Sequence, residues 1–266
     1  MNWGEALILG ILQGLTEFIP VSSSGHLELG SVFFGLENPE AFFTFNILVH
    51  GATFLSVVVV FFQDIRQLIA SAFAFRWNAD TRFIALLLIS AVPVGIVGLL
   101  FESHVEKLFQ GRVVLVGAML LVTSLLLFLT RIAPSGGNDI TLKSSVIIGL
   151  SQVAAILPGV SRSGTTISTA LYLGVEKATA VRFSFLMALF PIFGANLLKI
   201  ISLWNEANAG NTVDTLPLVV GTVAAFLAGL FACRWMLDIV RRGSIYYFSA
   251  YCLLAGLAAI GYGVFG

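Results

Sequence analysis

"EFIPVSSSGHLELG", Glu17 to Gly30, is the stretch whose reading decides the fold. The residues leading into it, 5–19, are apolar enough for a bilayer. As a helix they reach only about 22 Å, short of a hydrocarbon core of about 30 Å. The run stops at Pro20, which has no N–H and ends a helix. Three serines, a glycine and a histidine follow, and the apolar pattern then resumes to Gly35. A re-entrant hairpin over 5–35, two half-helices meeting at a polar turn, accounts for this pattern. Irregular backbone at membrane depth is tolerated only where protein or a wet cavity surrounds it.

Composition agrees with a membrane setting. The chain has 266 residues, 58% apolar and 11% charged, with a mean hydropathy of +0.98. A soluble domain carries about 25% charged residues. Net charge is zero with no basic tail, which argues against nucleic acid as a partner. The start, MNWGEALILG, has neither a positive n-region nor a cleavage site, so a cleaved signal peptide is not expected. Cys233 and Cys252 lie in apolar segments and read as packing residues.

Six segments are long enough to span, at 41–62, 83–101, 113–130, 182–202, 216–234 and 245–264. No period-two pattern competes, so an all-α membrane protein is expected. A second broken stretch mirrors the first. Residues 145–157 are apolar, Pro158 and "GVSRSG" interrupt, and a short piece runs to Gly174, predicting another re-entrant hairpin over 145–174.

The two hairpins are copies. Shifting the sequence by 139 lays VSSSG (21–25) on VSRSG (160–164), Gly35 on Gly174, Glu37 on Glu176 and Ala41 on Ala180. Seven of the 21 positions in 21–41 are identical in one ungapped register. The expectation is a single membrane domain, 1–266, made of two repeats, about 1–131 and 144–266, each a hairpin plus three spans. Three intervening spans make the hairpins enter from opposite faces. Loops on one side carry Arg66, Arg76, Arg82, Arg131, Lys143, Lys177, Arg182, Arg234, Arg241 and Arg242; the other side has Lys107, Arg112 and Lys199. The positive-inside rule makes the first side cytoplasmic, with both termini and the first hairpin's mouth outside. Inverted repeats with broken helices meeting near the midplane are a binding-site architecture.

After each turn a new half-helix begins, near His26 and near Thr165. Helix N-termini present free N–H groups and a positive dipole end, and two converging on one spot suit an anion. Arg162 adds a planar five-donor fork suited to phosphate. At membrane depth an Arg needs a partner, and Glu17 is the candidate. That pair serves either function or simply the joining of the hairpins. Gln13 and Glu17 are four apart, on one helix face aimed at the turn. Ser23 and His26 are three apart, and His is the usual base for a serine nucleophile near neutral pH. Blander readings stand beside these: Ser22, Ser24, Ser161 and Ser163 as helix caps, and His26 as an anion ligand without catalysis. Together with Arg162 the set reads as a phosphate-reacting constellation.

Other polar residues carry less. His50, with Asn46 one turn earlier on the same face, is either cavity-lining or interior packing. His104, among Glu102, Glu106 and Lys107, reads as solvated. Glu28 is expected to face the cavity, and Glu37 and Glu176 to cap or sit at the interface. No thiolate or histidine cluster suggests a transition metal. A hard cation, Mg²⁺ or Ca²⁺, could bridge Glu17 to phosphate oxygens.

"QGLTEFIPVSSSGH" and "LPGVSRSGTT" resemble the two signature motifs of the undecaprenyl-diphosphate phosphatases of the bacitracin-resistance type. The first motif is Glu or Gln, three residues, Glu, then a serine-rich turn and His. The second is Pro-Gly-x-Ser-Arg-Ser-x-x-Thr, matched by Pro158 to Thr166. The resemblance covers the whole chain in length, span order and repeats. It implies a multi-pass bacterial plasma-membrane hydrolase that converts undecaprenyl diphosphate to the monophosphate. That regenerates the lipid carrier for peptidoglycan and other wall polymers and gives bacitracin resistance. It also implies an outward-facing site supported by Mg²⁺ or Ca²⁺. Gln13 stands where many members carry Glu, leaving Glu17 as the only motif carboxylate and metal ligand. Arg162, Ser161, Ser163, Thr166, Ser22 and Gln13 would then hold the diphosphate. Ser23 would attack with His26 as base, while Glu17 orients His26 or carries the cation; His26 as nucleophile is the alternative.

Two rivals differ in class. Type-2 lipid phosphatases need a His six residues after the motif arginine, and Ser168 stands there. A polyprenyl-phosphate flippase or transporter shares the inverted-repeat plan. Membrane lipid is the expected neighbour, and a homodimer is compatible with the sequence.

Overall fold

The structure is a computed structural model that describes residues 1–36, 39–101, 112–134, 136–207, 215–243 and 245–265. Glu37, Glu102, His104, Glu106 and Lys107 lie outside the described residues. Among these residues the chain forms α-helices with no named strand: α1 Trp3–Phe18, α2 Ser23–Phe33, α3 Pro39–Val60, α4 Phe62–Phe73, α5 Ala79–Leu100, α6 Val113–Leu129, α7 Leu142–Ala154, α8 Arg162–Tyr172, α9 Lys177–Ala207, α10 Thr215–Arg241 and α11 Phe248–Phe265. Six stretches, in α3, α5, α6, α9, α10 and α11, are long and apolar enough to cross a membrane. The chain is a multi-pass membrane protein.

The helices meant to stop short do so. α1 has 16 residues and α7 has 13, about 24 Å and 20 Å of rise. Ile19, the residue before Pro20, leaves the helix for extended backbone at φ −65° and ψ 134°, as the proline ring requires. The second turn reverses through Gly159 at φ +99°, a conformation that glycine tolerates and side chains resist. Each short second helix opens on a serine cap: Ser22 accepts from the Gly25 amide and Ser161 from the Gly164 amide.

α1 lies along α10 at very close range. A Cβ at Gly14 would come within 2.5 Å of the Ala225 carbonyl, and Gly10 likewise abuts Gly221. Small residues let helices approach where lipid supplies no hydrophobic drive. α6 packs on α11 in the same manner, Gly117 against Gly256. Near the foot of α1, Phe18 meets Phe185 edge-on at 5.4 Å, within a buried cluster that includes Leu127, Ile167, Phe183 and Met187. Leu99, Leu125, Leu227 and Leu254 point outward and exposed. Such a belt would aggregate in water and is at rest in hydrocarbon.

Several element boundaries differ from the sequence reading: the second crossing starts at Ala79 and not 83, the fifth runs to Arg241 and not 234, so that Arg234 lies within a helix, and two further differences bear on the site's surroundings. The fourth crossing was expected over 182–202, and its helix starts at Lys177, because Glu176 caps it. Residues after 62 were expected to be loop, and they form α4. Polar Asp64, Arg66 and Gln67 alternate there with Ile65, Leu68 and Ile69, an amphipathic pattern suited to an interfacial helix. Arg182 holds Asp64 at 2.7 Å.

Glu176 accepts from the amides of Ala178 at 2.9 Å and Thr179 at 2.7 Å. The Ala178 amide bond, foremost, holds its carboxyl below the ordinary range. A lowered folded-state pKa gives stability that is full above about pH 4.3 and lost as acid protonates the cap. Glu176→Ala is expected to lower stability by about 1 kcal/mol at pH 7. Thermal unfolding should show that gap narrow below the ordinary carboxylate range.

Candidate active site

The two polar turns touch. A Cβ on Gly25 would sit 3.0 Å from Gly159 Cα, and one on Gly164 would sit 3.3 Å from Pro20 Cβ. The contact joins residues that are far apart in sequence. It brings the starts of α2 and α8 beside the end of α1.

Glu17 is the hub. One carboxylate oxygen, Oε1, accepts from Arg162 Nη2 at 2.5 Å; the other, Oε2, accepts from Ser23 Oγ at 2.6 Å and Gln13 Nε2 at 3.1 Å. His50 Nε2 stands 3.9 Å from the same oxygen, its Nδ1 bonded to the Asn46 carbonyl. The Glu17 side chain is 6% exposed and that of Arg162 is 19%. Removing one member of such a buried pair strands the other charge. Gln13 Oε1 and Arg162 Nη1 are buried and without a hydrogen bond among the described residues.

His26 is held differently from expectation. Its Nδ1 lies 2.8 Å from the Ser22 carbonyl and its Nε2 lies 2.7 Å from the Tyr251 hydroxyl. Ser23 gives its hydrogen bond to Glu17. α2 begins at Ser23 itself, so that residue faces back towards the turn while His26 binds a carbonyl one helical turn earlier. Ser22, which supplies that carbonyl, has φ +72° without being glycine. Such strain, on the order of 1–3 kcal/mol, persists where surroundings over-determine the backbone.

The second turn is similarly braced. Thr123, from α6, donates to the Gly159 carbonyl at 2.9 Å and accepts from the Ser161 amide at 3.0 Å. Ser161 and Ser163 are buried with their hydroxyls 3.4 Å apart. Thr166 lies behind the arginine: its hydroxyl pairs with Ser184 at 2.5 Å and with the Arg162 carbonyl at 2.9 Å. Thr123→Val keeps the shape and orphans both turn groups, so a stability loss of about 1–3 kcal/mol is expected in thermal or denaturant unfolding. Thr123 and Tyr251 escaped the sequence reading, since nothing local to a hydroxyl inside an apolar span says which turn it will meet.

Beside Arg162 and His50 opens a cavity of about 330 Å³, also lined by Asn46, Gln152 and Asn196. His50 therefore lines the cavity, one of its two expected settings. Glu28 is buried on α2. Both cysteines are free and buried.

Comparison with known proteins decides the relationship. The family model described as bacitracin resistance protein BacA matches residues 6–258. This chain belongs to the BacA family. Among BacA-family relatives, a Parabacteroides distasonis protein is 46% identical over 261 residues, covering 98% of both chains. A Bacteroides fragilis protein is 47% identical over 264 residues and a Christiangramia forsetii protein 48% over 261, each again covering 98% of both chains. All three relatives are named undecaprenyl-diphosphatase. In this BacA-family chain Glu17 is the point on which Ser23, Gln13 and Arg162 converge.

Proposed function

We propose that this protein hydrolyses undecaprenyl diphosphate to undecaprenyl phosphate and inorganic phosphate at the Glu17–Ser23–Arg162 cluster. The relatives' name supplies the substrate. One observation carries the site assignment: a single carboxylate holds a serine hydroxyl on one oxygen and a guanidinium on the other.

Ser23 Oγ attacks the terminal phosphorus. Its proton passes to Glu17, already at hydrogen-bond distance. The Oγ–P bond forms as the bond from phosphorus to the bridging oxygen breaks, and the lipid monophosphate leaves. Water then cleaves the phosphoserine, releasing phosphate. Phosphoryl transfer asks mainly for positioning and charge stabilisation. Arg162, with Nη1 unengaged, and the amides at the two helix starts supply both. His26 anchors the Ser22 carbonyl and thereby the turn that carries Ser23.

A hard cation fits as a companion of the substrate. Glu17 supplies the carboxylate for such a cation, while Gln13 turns its Nε2 to that carboxylate and its Oε1 is buried with no hydrogen bond among the described residues. No group of three or more His, Cys, Asp or Glu that could hold a metal occurs among the described residues. Mg²⁺ or Ca²⁺ would thus be held by Glu17 together with phosphate oxygens, and when bound would neutralise phosphate charge. In this reading α1–α2 and α7–α8 are re-entrant hairpins of an inverted repeat. The matching serine caps and matching 11-residue helices support that. The site opens to the outer face of a bacterial plasma membrane, with both termini outside.

Purified protein in detergent is expected to release phosphate from the C55 diphosphate, less so with a chelator, and to regain activity with added Mg²⁺ or Ca²⁺. Acid-stable phosphoserine should be trapped during turnover. A flippase would release none and would need sealed vesicles to show any activity. Acid-labile phosphohistidine would move the nucleophile to His26.

A further inference from the structure

Gln152 sits near the end of α7 and is 1% exposed, yet neither Nε2 nor Oε1 makes a hydrogen bond among the described residues. Leaving one such buried group unpaired costs about 1–3 kcal/mol, so native structures seldom keep both ends of an amide idle without a ligand to meet them. Gln152 lines the 330 Å³ cavity, and so does Arg162, whose Nη1 is likewise buried and unbonded. Two residues with idle buried donors thus line one cavity, in the lower range of small-molecule pockets by volume. In the register that lays one turn on the other, shifted by 139, Gln152 corresponds to Gln13. Each short first helix therefore carries a glutamine at the same position, one beside Glu17 and one at the cavity.

The two sides of Glu17 divide the labour. Oε2 faces Ser23, where the terminal phosphorus must come to be attacked, and Oε1 faces Arg162; Arg162 and His50, the latter 3.9 Å from Oε2, both border the cavity. Apolar Phe43, Ile47, Ile156 and Ile192 complete much of the cavity wall. A diphosphate with its terminal phosphorus at Ser23 would set its lipid-linked phosphate at the Arg162–Gln152 edge and its first apolar chain atoms against that wall.

We infer that Gln152, with Arg162 Nη1, binds the lipid-linked phosphate, the part of the substrate that becomes the leaving group. This rests on the assignment of Ser23 as the attacking residue. Gln152 Nε2 donates to a non-bridging oxygen of that phosphate, and Oε1 accepts from a water or a protonated phosphate oxygen. Negative charge grows on this phosphate as the anhydride bond breaks, so a donor here favours departure as well as binding.

The test separates the two phosphates by equilibrium binding, which needs no turnover. The probes are a short-chain prenyl monophosphate, which carries only the lipid-linked phosphate, and inorganic phosphate, which mimics the terminal one. Binding is measured on full-length protein in detergent. Gln152→Leu should weaken prenyl monophosphate binding roughly tenfold or more, the size of a lost hydrogen bond to a charged group. Inorganic phosphate binding should change less than about twofold. Gln152→Glu, which keeps the shape and adds a negative charge, should weaken prenyl monophosphate further still. Gln152→Leu should unfold at or near the wild-type temperature, because the amide has no hydrogen-bond partner among the described residues to lose, whereas Gln152→Glu buries a carboxyl and is read by binding alone. Unchanged prenyl monophosphate binding, or an equal loss for both probes, overturns the assignment. So does a fall in the unfolding temperature of Gln152→Leu with binding intact, which marks a structural amide. Failure of the wild type to release phosphate from the diphosphate would overturn the hydrolase reading instead, and the binding arms would still read Gln152 on their own.

Discussion

Arg162→Lys is expected to lower turnover on the C55 diphosphate about a hundredfold, the scale seen when one charge-stabilising donor is removed. The reason is geometric. One guanidinium nitrogen is committed to Glu17 at 2.5 Å, and the other, Nη1, is buried with no hydrogen bond among the described residues. A lysine ammonium is a point charge that can satisfy Glu17 or the phosphate, with no planar fork to reach both. Because the ion pair survives in the variant, thermal unfolding should move little. The signature is therefore a large loss in kcat with a stable fold. Near-normal phosphate release would remove Arg162 from the clamp.

Glu17→Gln should do more, on two counts. The amide cannot take the Ser23 proton, and loss of a general base typically costs 10²–10⁴ in rate. It also leaves the Arg162 charge largely buried without its counter-ion, an error of about 3–5 kcal/mol for a fully enclosed pair. The 19% exposure of Arg162 argues for the low end. Denaturant unfolding and phosphate release measured on one preparation should fall together. Double replacement with an uncharged partner, Glu17→Gln with Arg162→Gln, should recover part of the stability and none of the turnover. Full activity in Glu17→Gln would return the base to His26, as the spacing alone suggested.

That spacing shows where reading the chain stopped. Pro20 and Pro158, each flanked by a serine-rich string, are enough to expect two broken helices with Ser22, Ser24, Ser161 and Ser163 as cap candidates; Ser22 and Ser161 are the caps, and the new helices start at Ser23 and Arg162, three residues earlier than the starts expected near His26 and Thr165. The Glu17–Arg162 pairing was legible too, because two opposite charges in an apolar chain have few other ways to be stable. The partner of Ser23 was not. Ser23 and His26 both lie in α2, yet Ser23 turns to Glu17 and His26 to the Ser22 carbonyl and Tyr251. His26 found Tyr251, which is 225 residues away, through packing of α2 near α11 that no local pattern encodes. α4 was misread because a single amphipathic stretch of 12 residues looks like a charged loop when only apolar runs are sought.

The tight seating of α1 on α10 bears on how the molecule is made. α1 leaves the ribosome first, whereas its glycine-lined berth at Gly221, Ala225 and Gly229 is translated more than 200 residues later. A nascent chain accordingly carries α1 without its berth through most of synthesis. α1 therefore takes its final seat only when the penultimate crossing, α10, joins the bundle.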